Sequence, residues 1–365
     1  MKVAIVHYWL VNMRGGEKVL QALLELFPEA DIYTHVYDPK VMPESINARK
    51  VYTSYIQKLP LAKKLYQKYM PLMPNALCGF NLQDYDLVIS SESGPAKGVI
   101  PNPTAYHICY CHSPMRYLWD MYHEYFQKTN PLVRFFMKRL VPGLRLWDVC
   151  SANLVDLFIA NSSYVAKRIK RYYNREAEIV YPPVDLCKFF SVQRNPKDFY
   201  LFFGQLTGYK RADIAIEACI ASGRKLVVAG SGGKAAEKRR YEKSGLVRFA
   251  GRPSDEEARE LYSSARALLF PGIEDFGIIP VEANAAGCPV IALRKGGALD
   301  TVKEGITGLF FDEQTPASLV QAMDRFESIE GRFADRAPFA AHVEQFSGQA
   351  FREKILGIVA ERKRS

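Results

Sequence analysis

Short apolar runs alternate with helical patterns along the whole chain, and this alternation limits the possible folds most strongly. The runs are rich in valine, isoleucine and phenylalanine, and a turn signal closes each one. In the first half they occupy residues 3–6, 87–89, 105–110 and 157–160. Helical spacing of apolar residues lies between them, at 17–27 and 164–173. Regular alternation of strands and helices predicts a parallel sheet covered by helices.

The same alternation of apolar runs and helical patterns restarts in the second half, which predicts a second unit of the same kind. Its runs occupy residues 200–203, 226–229, 247–249, 267–270 and 290–292. Between the halves, Pro182 and Pro183 stop any helix and stiffen the connection. We therefore predict an α/β fold of two doubly wound, Rossmann-like domains, 1–190 and 191–345, followed by a helix within 346–365. Ligands bind at the carboxyl ends of such strands, so two domains facing each other would form one cleft.

Composition narrows the class of protein. The length of 365 residues suits two domains, and 48% hydrophobic with 24% charged residues is typical of globular proteins. Seven cysteines without a CxxC pair argue against a disulfide framework and favour a reducing cytoplasm. No apolar stretch reaches the length of a membrane-spanning helix, so membrane contact would be peripheral. The net charge of +10 predicts a negative partner: nucleic acid, a phosphorylated small molecule or an anionic membrane.

The most informative segment is residues 271–287 (PGIEDFGIIPVEANAAG). It reads as a loop and a short helix between two strands, with Pro280 in the first turn of the helix and Gly287 after its end. Backbone N–H groups of Phe276, Gly277 and Ile278 would then point at a bound phosphate. Glycine at position 277 would let that phosphate approach closely.

Two glutamates flank this helix start. Glu274 lies in the loop and Glu282 on the helix, so both can face a ligand and accept hydrogen bonds from sugar hydroxyls. The alternative for Glu282 is a first-turn residue that complements the helix dipole. The surrounding proline and glycine pattern favours the functional interpretation.

Residues 204–211 (GQLTGYKR) follow the first strand of the second half. This position predicts that Lys210 and Arg211 lie at the same sheet edge, where two cations can neutralise a diphosphate. An exposed basic turn is the alternative. Gly230 follows the next strand and is a weak phosphate signal by itself. The patterns GxGxxG and GxxxxGK[ST] are absent, which disfavours a dinucleotide cofactor and ATP hydrolysis.

Together these motifs resemble the retaining glycosyltransferases of family four, closest to bacterial O-antigen and exopolysaccharide mannosyltransferases. The resemblance rests on 271–287, 204–211, residues 294–311 (RKGGALDTVKEGITGLFF) and residues 15–18 (GGEK), and it covers nearly the whole chain. It implies a GT-B fold, transfer from a nucleoside diphosphate sugar with retained anomeric configuration, and no metal or other cofactor. It also implies that the C-terminal helix crosses back to the N-terminal domain.

The resemblance assigns roles to individual residues. Glu274 matches the carboxylate at the donor sugar, Glu282 the one at the ribose, and Lys210 the diphosphate-binding lysine. Phe276, Gly277 and Ile278 match the amides under the sugar and phosphates. The family usually has an arginine where this chain has Gln205, so either Arg211 takes its place or the diphosphate is neutralised less strongly.

In the first half, Gly15 and Gly16 are predicted to close the first strand and to place amides near a donor phosphate. His112 follows a strand and matches the family's histidine beside the reacting centre, where it would orient and polarise rather than act as a strong base. Cys109, Cys111 and His112 lack the further ligands that a zinc site needs. Arg116 and Asp120 are candidates for the acceptor pocket, with a structural ion pair as the equal alternative.

The excess positive charge is concentrated in the first half, which carries +7 against +3 in the remainder. Residues 41–75 combine six basic residues with four tyrosines, a composition typical of an interfacial patch on an anionic membrane. Phe135–Arg139 is a second candidate. For either patch the alternative is a solvated helix whose apolar stripe lies in the core.

The sequence thus predicts a cytoplasmic glycosyltransferase, peripheral on the inner face of the cell membrane, that moves mannose from GDP-mannose to a lipid-linked glycan of a cell-surface polysaccharide. The enzymatic alternatives are a UDP-sugar-dependent transferase and a sugar-nucleotide epimerase or hydrolase of related fold. A nucleic-acid binder is the remote alternative, because the basic half has no recognisable reader motif.

Overall fold

The chain folds into two compact units. A computed structural model describes residues 1–362. The first unit comprises Met1–Pro183 together with the described residues from Arg352 onward, and the second comprises Val184–Phe351. Each unit is a parallel sheet with helices along it, as the strand and helix alternation predicted.

The first unit contains a seven-stranded parallel sheet in the order β3-β2-β1-β4-β5-β6-β7. Strands β1 and β4 in its centre are buried along their full length, which explains their valine- and isoleucine-rich sequences. The strands are β1 (Val3–His7), β2 (Asp31–Thr34), β3 (Val51–Thr53), β4 (Leu87–Glu92), β5 (Tyr106–Cys111), β6 (Leu157–Ala160) and β7 (Ala177–Ile179).

Seven helices accompany this sheet. The first of them buries Val19, Leu20, Leu23 and Leu24 on one face, the spacing expected of a helix packed on a sheet. The helices are α1 (Gly15–Leu26), α2 (Glu44–Asn47), α3 (Ala62–Leu65), α4 (Met73–Leu77), α5 (Tyr122–Lys128), α6 (Pro131–Ser151) and α7 (Ser163–Tyr173).

The second unit contains a six-stranded parallel sheet in the order β10-β9-β8-β11-β12-β13. Its strands are β8 (Tyr200–Phe203), β9 (Leu226–Ala229), β10 (Val247–Gly251), β11 (Leu268–Phe270), β12 (Val290–Leu293) and β13 (Gly308–Phe311). Its helices are α8 (Cys187–Phe190), α9 (Ala212–Ala221), α10 (Ala235–Glu242), α11 (Asp255–Ser264), α12 (Ile278–Ala285), α13 (Ala298–Thr301), α14 (Pro316–Ile329) and α15 (Ala337–Val343). The chain then enters α16 (Gly348–Arg362).

The nine strands predicted from apolar runs are all present, within three residues at each end. Four others, β2, β3, β7 and β13, were not predicted. Strands β3 and β7 lie at the two edges of their sheet, are three residues long and are only partly buried, so they carry no apolar run. The sequence of β2, DIYT, is too polar and too short to give one.

The break between the units falls at Pro183, seven residues before the predicted boundary. The residues that follow pack in the second unit: Val184 donates its amide to the Phe346 carbonyl at 2.9 Å, and Phe189 is buried. Pro182 and Pro183 coincide with this break, but they could not show with which sheet the next turn packs.

The C-terminal helix begins two residues later than predicted, at Gly348, after a short 3-10 turn that buries Phe346. From Arg352 it packs with the first unit, where the Arg352 guanidinium lies 3.2 Å from the Glu25 carboxylate. Phe351, Ile355 and Val359 form its buried stripe. The end of the predicted helix, residues 363–365, lies outside the described residues. No helix within 1–362 is both long and apolar enough to cross a bilayer.

Candidate active site

The second unit has a loop and a helix start at the place where the sequence predicted an anion-binding turn. Strand β11 ends at Phe270, and α12 begins at Ile278 after Gly277, whose φ is +90°. Pro280 lies in the first turn, and Gly287 follows the helix with φ of +76°. Among the described residues, the amides of Gly277 and Ile278 have no acceptor. Unpaired N–H groups at a helix start favour a negatively charged ligand.

Lys210 and Glu274 meet beside this turn. The Lys210 Nζ lies 3.0 Å from Glu274 Oε1, and the two side chains are 13% and 19% exposed. They come from the segments after β8 and β11, which are neighbouring strands. Glycine makes the approach possible, because a Cβ on Gly204 would lie 3.2 Å from Lys210 Nζ. A cation and a carboxylate are therefore held together, half-buried, at one sheet edge.

Glu282 is anchored by a tyrosine that sequence reasoning missed. Tyr262 on α11 donates its hydroxyl to Glu282 Oε2 at 3.2 Å. The Tyr262 ring stacks on Phe203, the last residue of β8, with 5.1 Å between ring centroids. Burial, and then the charge of Glu282, raise the pKa of Tyr262 well above its usual value, so this hydroxyl remains a donor.

The structure places Arg211 elsewhere than in a diphosphate clamp. Its guanidinium donates to both carboxylate oxygens of Asp213, at 2.8–3.0 Å, and to Gln314. The hydrogen bond to Asp213 raises the pKa of Arg211. Gln205 is exposed. Of the two alternatives left open by the sequence, these contacts favour weaker neutralisation of the diphosphate.

Gly230 and Phe276 have packing roles. A Cβ on Gly230, whose φ is +144°, would lie 1.8 Å from the Gly204 carbonyl oxygen. Glycine is thus required there by the contact between two strand ends, without any ligand. The Phe276 ring is buried and packs edge-on against Phe346, with 5.6 Å between centroids.

His112 in the first unit belongs to a chain of polar side chains on three adjacent strands. His112 directly follows β5, and its Nε2 lies 2.9 Å from Ser91 Oγ on β4. Ser91 Oγ lies 3.2 Å from Nδ1 of His7, the last residue of β1. The other His7 nitrogen, Nε2, is 3.9 Å from Glu17 Oε1. Sequence reasoning missed His7, Ser91 and Glu17, although His7 ends a strand just as His112 follows one.

Burial keeps the His112 imidazole of this cluster neutral. It lowers the pKa of His112 to about 3, with His7 adding to the effect. The pKa of Glu17 is also lowered; burial opposes this, but contact with His7 and the Arg14 amide, which donates at 2.9 Å, outweighs it. A histidine that stays neutral can donate or accept a hydrogen bond but is a weak base.

Gly15 and Gly16 lie in the first turn of α1 rather than in a loop before it, because the strand ends earlier, at His7. A Cβ on Gly16 would come 2.6 Å from Tyr8 Oη and 3.6 Å from His112 Nε2. The glycine therefore lets the helix start pack directly on the histidine cluster.

Asp120 forms a structural ion pair, with a partner the sequence did not identify. Its carboxylate lies 2.5 Å from Nη2 of Arg168, a buried residue of α7 that also donates to Ser113 Oγ at 2.7 Å. Arg116 donates to the sulfur of Met121 at 3.6 Å. For Asp120 the structural alternative is thus the observed one.

Comparison with known proteins gives two family matches. The model of Glycosyltransferase Family 4 matches residues 13–188, and that of Glycosyl transferases group 1 matches residues 187–341. The chain is 26% identical to alpha-1,3/1,6-mannosyltransferase ALG2 of Homo sapiens over 266 residues, which cover 62% of this chain and 64% of that protein. It spans between about one third and two thirds of the length of the curated relatives it matches.

Two solved structures resemble the chain over its whole length. Sucrose-phosphate synthase from Thermosynechococcus elongatus has a TM-score of 0.73 at 16% identity, with 100% of both chains covered. Anabaena HepE in complex with UDP has a TM-score of 0.71 at 16% identity, with 99% of this chain and 100% of that chain covered. At this identity the likeness shows the fold alone, which is two Rossmann-like α/β domains.

Proposed function

We propose that this chain, which belongs to the family 4 glycosyltransferases and has their GT-B fold, moves mannose from GDP-mannose to a lipid-linked glycan with retained anomeric configuration. One observation carries the proposal: a lysine and a glutamate lie 3.0 Å apart beside a helix start whose amides are unpaired. This arrangement suits a ligand that presents an anionic diphosphate next to a hydroxylated sugar.

Each part of the nucleotide-sugar donor would be bound by residues of the second unit. Lys210 would neutralise the diphosphate, and the amides of Gly277 and Ile278 would donate to it. Glu274 would accept hydrogen bonds from the sugar hydroxyls, exchanging part of its contact with Lys210 for them. Glu282, held by Tyr262, would accept from the ribose hydroxyls. Because Gln205 is neutral and Arg211 is bound to Asp213, Lys210 would be the main cation of this site.

The first unit would supply His112. A neutral imidazole, held by Ser91, can polarise a hydroxyl or orient the donor sugar, but it does not carry away a proton. In the reaction proposed for retaining enzymes of this family, the leaving diphosphate accepts the proton of the attacking hydroxyl on the same face of the sugar. This chemistry needs no strong protein base, in accord with the low pKa of His112.

Support for mannose comes from the human relative, which is named as a mannosyltransferase. A UDP-sugar donor is the second candidate, because the HepE structure was obtained with UDP. Thermal-shift measurements with GDP-mannose, UDP-glucose and ADP-glucose separate these donors. We expect stabilisation by GDP-mannose alone, about 2.7 kcal/mol at a concentration 100 times its Kd. Stabilisation by UDP-glucose without any effect of GDP-mannose would contradict the proposed donor.

Incubation with GDP-mannose in the absence of acceptor tests the reaction type. A transferase releases GDP only slowly under these conditions, whereas an epimerase or hydrolase of related fold would release it at its full rate. Rapid acceptor-independent release, measured by chromatography, would contradict the transferase proposal.

The protein would bind peripherally to the cytoplasmic face of an anionic membrane and would meet its lipid-linked acceptor there. The positive charge supports this proposal, because +7 of the +10 lies within residues 1–190. No nucleic-acid partner is proposed.

A further inference from the structure

Helix α6 has two opposite apolar faces, and only one of them is covered. Val141 and Leu144 are buried on the inner face, in a cluster with Met115 and Leu118. The opposite face carries the four large apolar residues Leu132, Phe135, Phe136 and Leu146. These side chains are 67%, 56%, 52% and 68% exposed. At 100° per residue they fall within one sector of the helix, directly away from the buried stripe. The alternative given for this segment, a solvated helix whose apolar stripe lies in the core, therefore does not account for the exposed apolar face of α6.

The exposed charged side chains of α6 are all basic. Its single acidic residue, Asp148, is fully buried and paired with Lys97. Lys138 and Arg139 are exposed beside the phenylalanines, and the Arg139 guanidinium lies 5.6 Å from the Phe135 ring centroid. An apolar strip bordered by cations, with no exposed acid, complements an anionic lipid surface.

We infer that the outer face of α6 is the surface that docks this protein onto an anionic membrane. The helix would lie parallel to the bilayer, with the two phenylalanine rings at the boundary between headgroups and acyl chains. Lys138 and Arg139 would contact lipid phosphates. The inference deepens the membrane association proposed above, but its test is independent of the transfer reaction.

In the other candidate patch, within 41–75, Tyr52 and Tyr55 are 43% and 42% exposed, but several side chains also make contacts within the unit. Tyr52 stacks on Tyr33 with 4.8 Å between ring centroids, and Lys63 pairs with Asp38 at 2.9 Å. Tyr55 donates its hydroxyl to the Leu72 carbonyl at 3.3 Å. A second copy of the chain docking through α6 would bring two basic faces together, which electrostatic repulsion opposes.

Cosedimentation with vesicles tests the inference. The full chain is mixed with phosphatidylcholine vesicles with or without phosphatidylglycerol, and compared with Phe135→Ser/Phe136→Ser and with Tyr52→Ser as a matched control from the other patch. We expect binding to the anionic vesicles only, a loss of about tenfold or more in the double variant, and no loss in the control. Arg139→Glu, an exposed single change, provides a second test that does not depend on the folding of the double variant. It should also weaken binding.

Three results would overturn the inference. These are equal binding of wild type to both vesicles or to neither, unchanged binding of Phe135→Ser/Phe136→Ser, and a wild-type dimer in light scattering that this variant dissociates. Thermal shifts with GDP-mannose, measured on the same variants, report the donor site separately. A failure of the membrane inference is thereby distinguished from a failure of the proposed function.

Discussion

The two units build their polar sites in different ways. In the first, His7, Ser91 and His112 lie at the ends of three neighbouring strands, and burial holds His112 neutral. In the second, Lys210 and Glu274 lie in partly exposed loop segments and face each other as ions. In the first site the imidazole of His112 stays neutral, whereas the second site holds an ion pair that a charged ligand could replace. This difference supports the proposal that the second unit binds the anionic donor.

A second serine–histidine pair in the first unit shows that burial alone does not mark function. Ser90 Oγ lies 2.8 Å from Nε2 of His107, and burial lowers the pKa of His107 to about 4. This pair closely resembles that of Ser91 and His112 in distance and in pKa. His107, however, is the second residue of β5 and its Nδ1 bonds the Leu154 carbonyl. Position at the carboxyl end of the strand is what distinguishes His112.

The largest effect is expected from Lys210→Ala, which removes the main cation of the second unit's site. Loss of one preorganised charge at a developing diphosphate should lower kcat/KM by about 10²- to 10³-fold. Lys225→Ala is a matched control, because Lys225 forms an exposed pair with Asp198 in the same unit. Steady-state kinetics on both variants make the comparison. Equal activity of Lys210→Ala and the control would contradict a charged site in this unit.

Acid should destabilise the first unit more than the second. Burial lowers the pKa values of His35, His107 and His112 to about 3, 4 and 3, below the value of about 6.5 in the unfolded chain. The contribution of these three histidines to the free energy of unfolding is complete above about pH 6.5. It decreases as the pH falls below that value, because the unfolded chain then binds more protons than the folded chain. Glu92, whose pKa burial raises to about 7, has the opposite effect and offsets one of them. The net loss is up to about 2.7 kcal/mol per pH unit below 6.5.

The two units can be followed separately in this experiment. All three tryptophans, at positions 9, 119 and 147, lie in the first unit, so their fluorescence reports its urea unfolding. Hydrogen exchange of β8 and β9 peptides reports the second unit, which has one histidine, His342, with a pKa lowered by burial. The lowered pKa values of Glu304 and Glu327 in that unit affect stability only at more acidic pH, near the usual carboxyl pKa and below. An equal loss of stability in both units between pH 7 and pH 5 would contradict the account.

A smaller effect is expected from Ser91→Ala, which removes the hydroxyl between His7 and His112. Loss of this hydrogen bond should free the imidazole to rotate and lower kcat about fivefold, since a net hydrogen bond contributes about 1 kcal/mol. Ser90→Ala breaks the otherwise similar pair with His107 and should leave kcat within about twofold, while lowering thermal stability. If Ser90→Ala lowered kcat as much as Ser91→Ala, position at the strand end would not be the deciding feature.

Much of the fold could be predicted because buried parallel strands require continuous apolar runs, as in β1, β9 and β12. The position of Lys210 at a sheet edge also followed from the sequence, since it comes after a strand, but its contact with Glu274 did not. The short edge strands β3 and β7 could not be predicted, because partial exposure relaxes the demand for apolar residues.

Other parts of the site depend on contacts that the sequence does not encode locally. Tyr262 lies in the last turn of a polar helix, and nothing near it indicates the contact with Glu282, 20 positions later. The pairing of Asp120 with Arg168, 48 positions away, could not be chosen among the many basic residues of the first half. His7 could have been found, because the strand-end rule that identified His112 applies equally to it.

The most direct test is transfer of mannose from isotopically labelled GDP-mannose to a polyprenyl-diphosphate-linked glycan in anionic vesicles, with the linkage of the product determined by NMR. We expect a mannosylated lipid-linked product with the α configuration of the donor, dependent on Lys210 and Glu274. A product of inverted configuration, or transfer that persists in Lys210→Ala/Glu274→Ala, would contradict it.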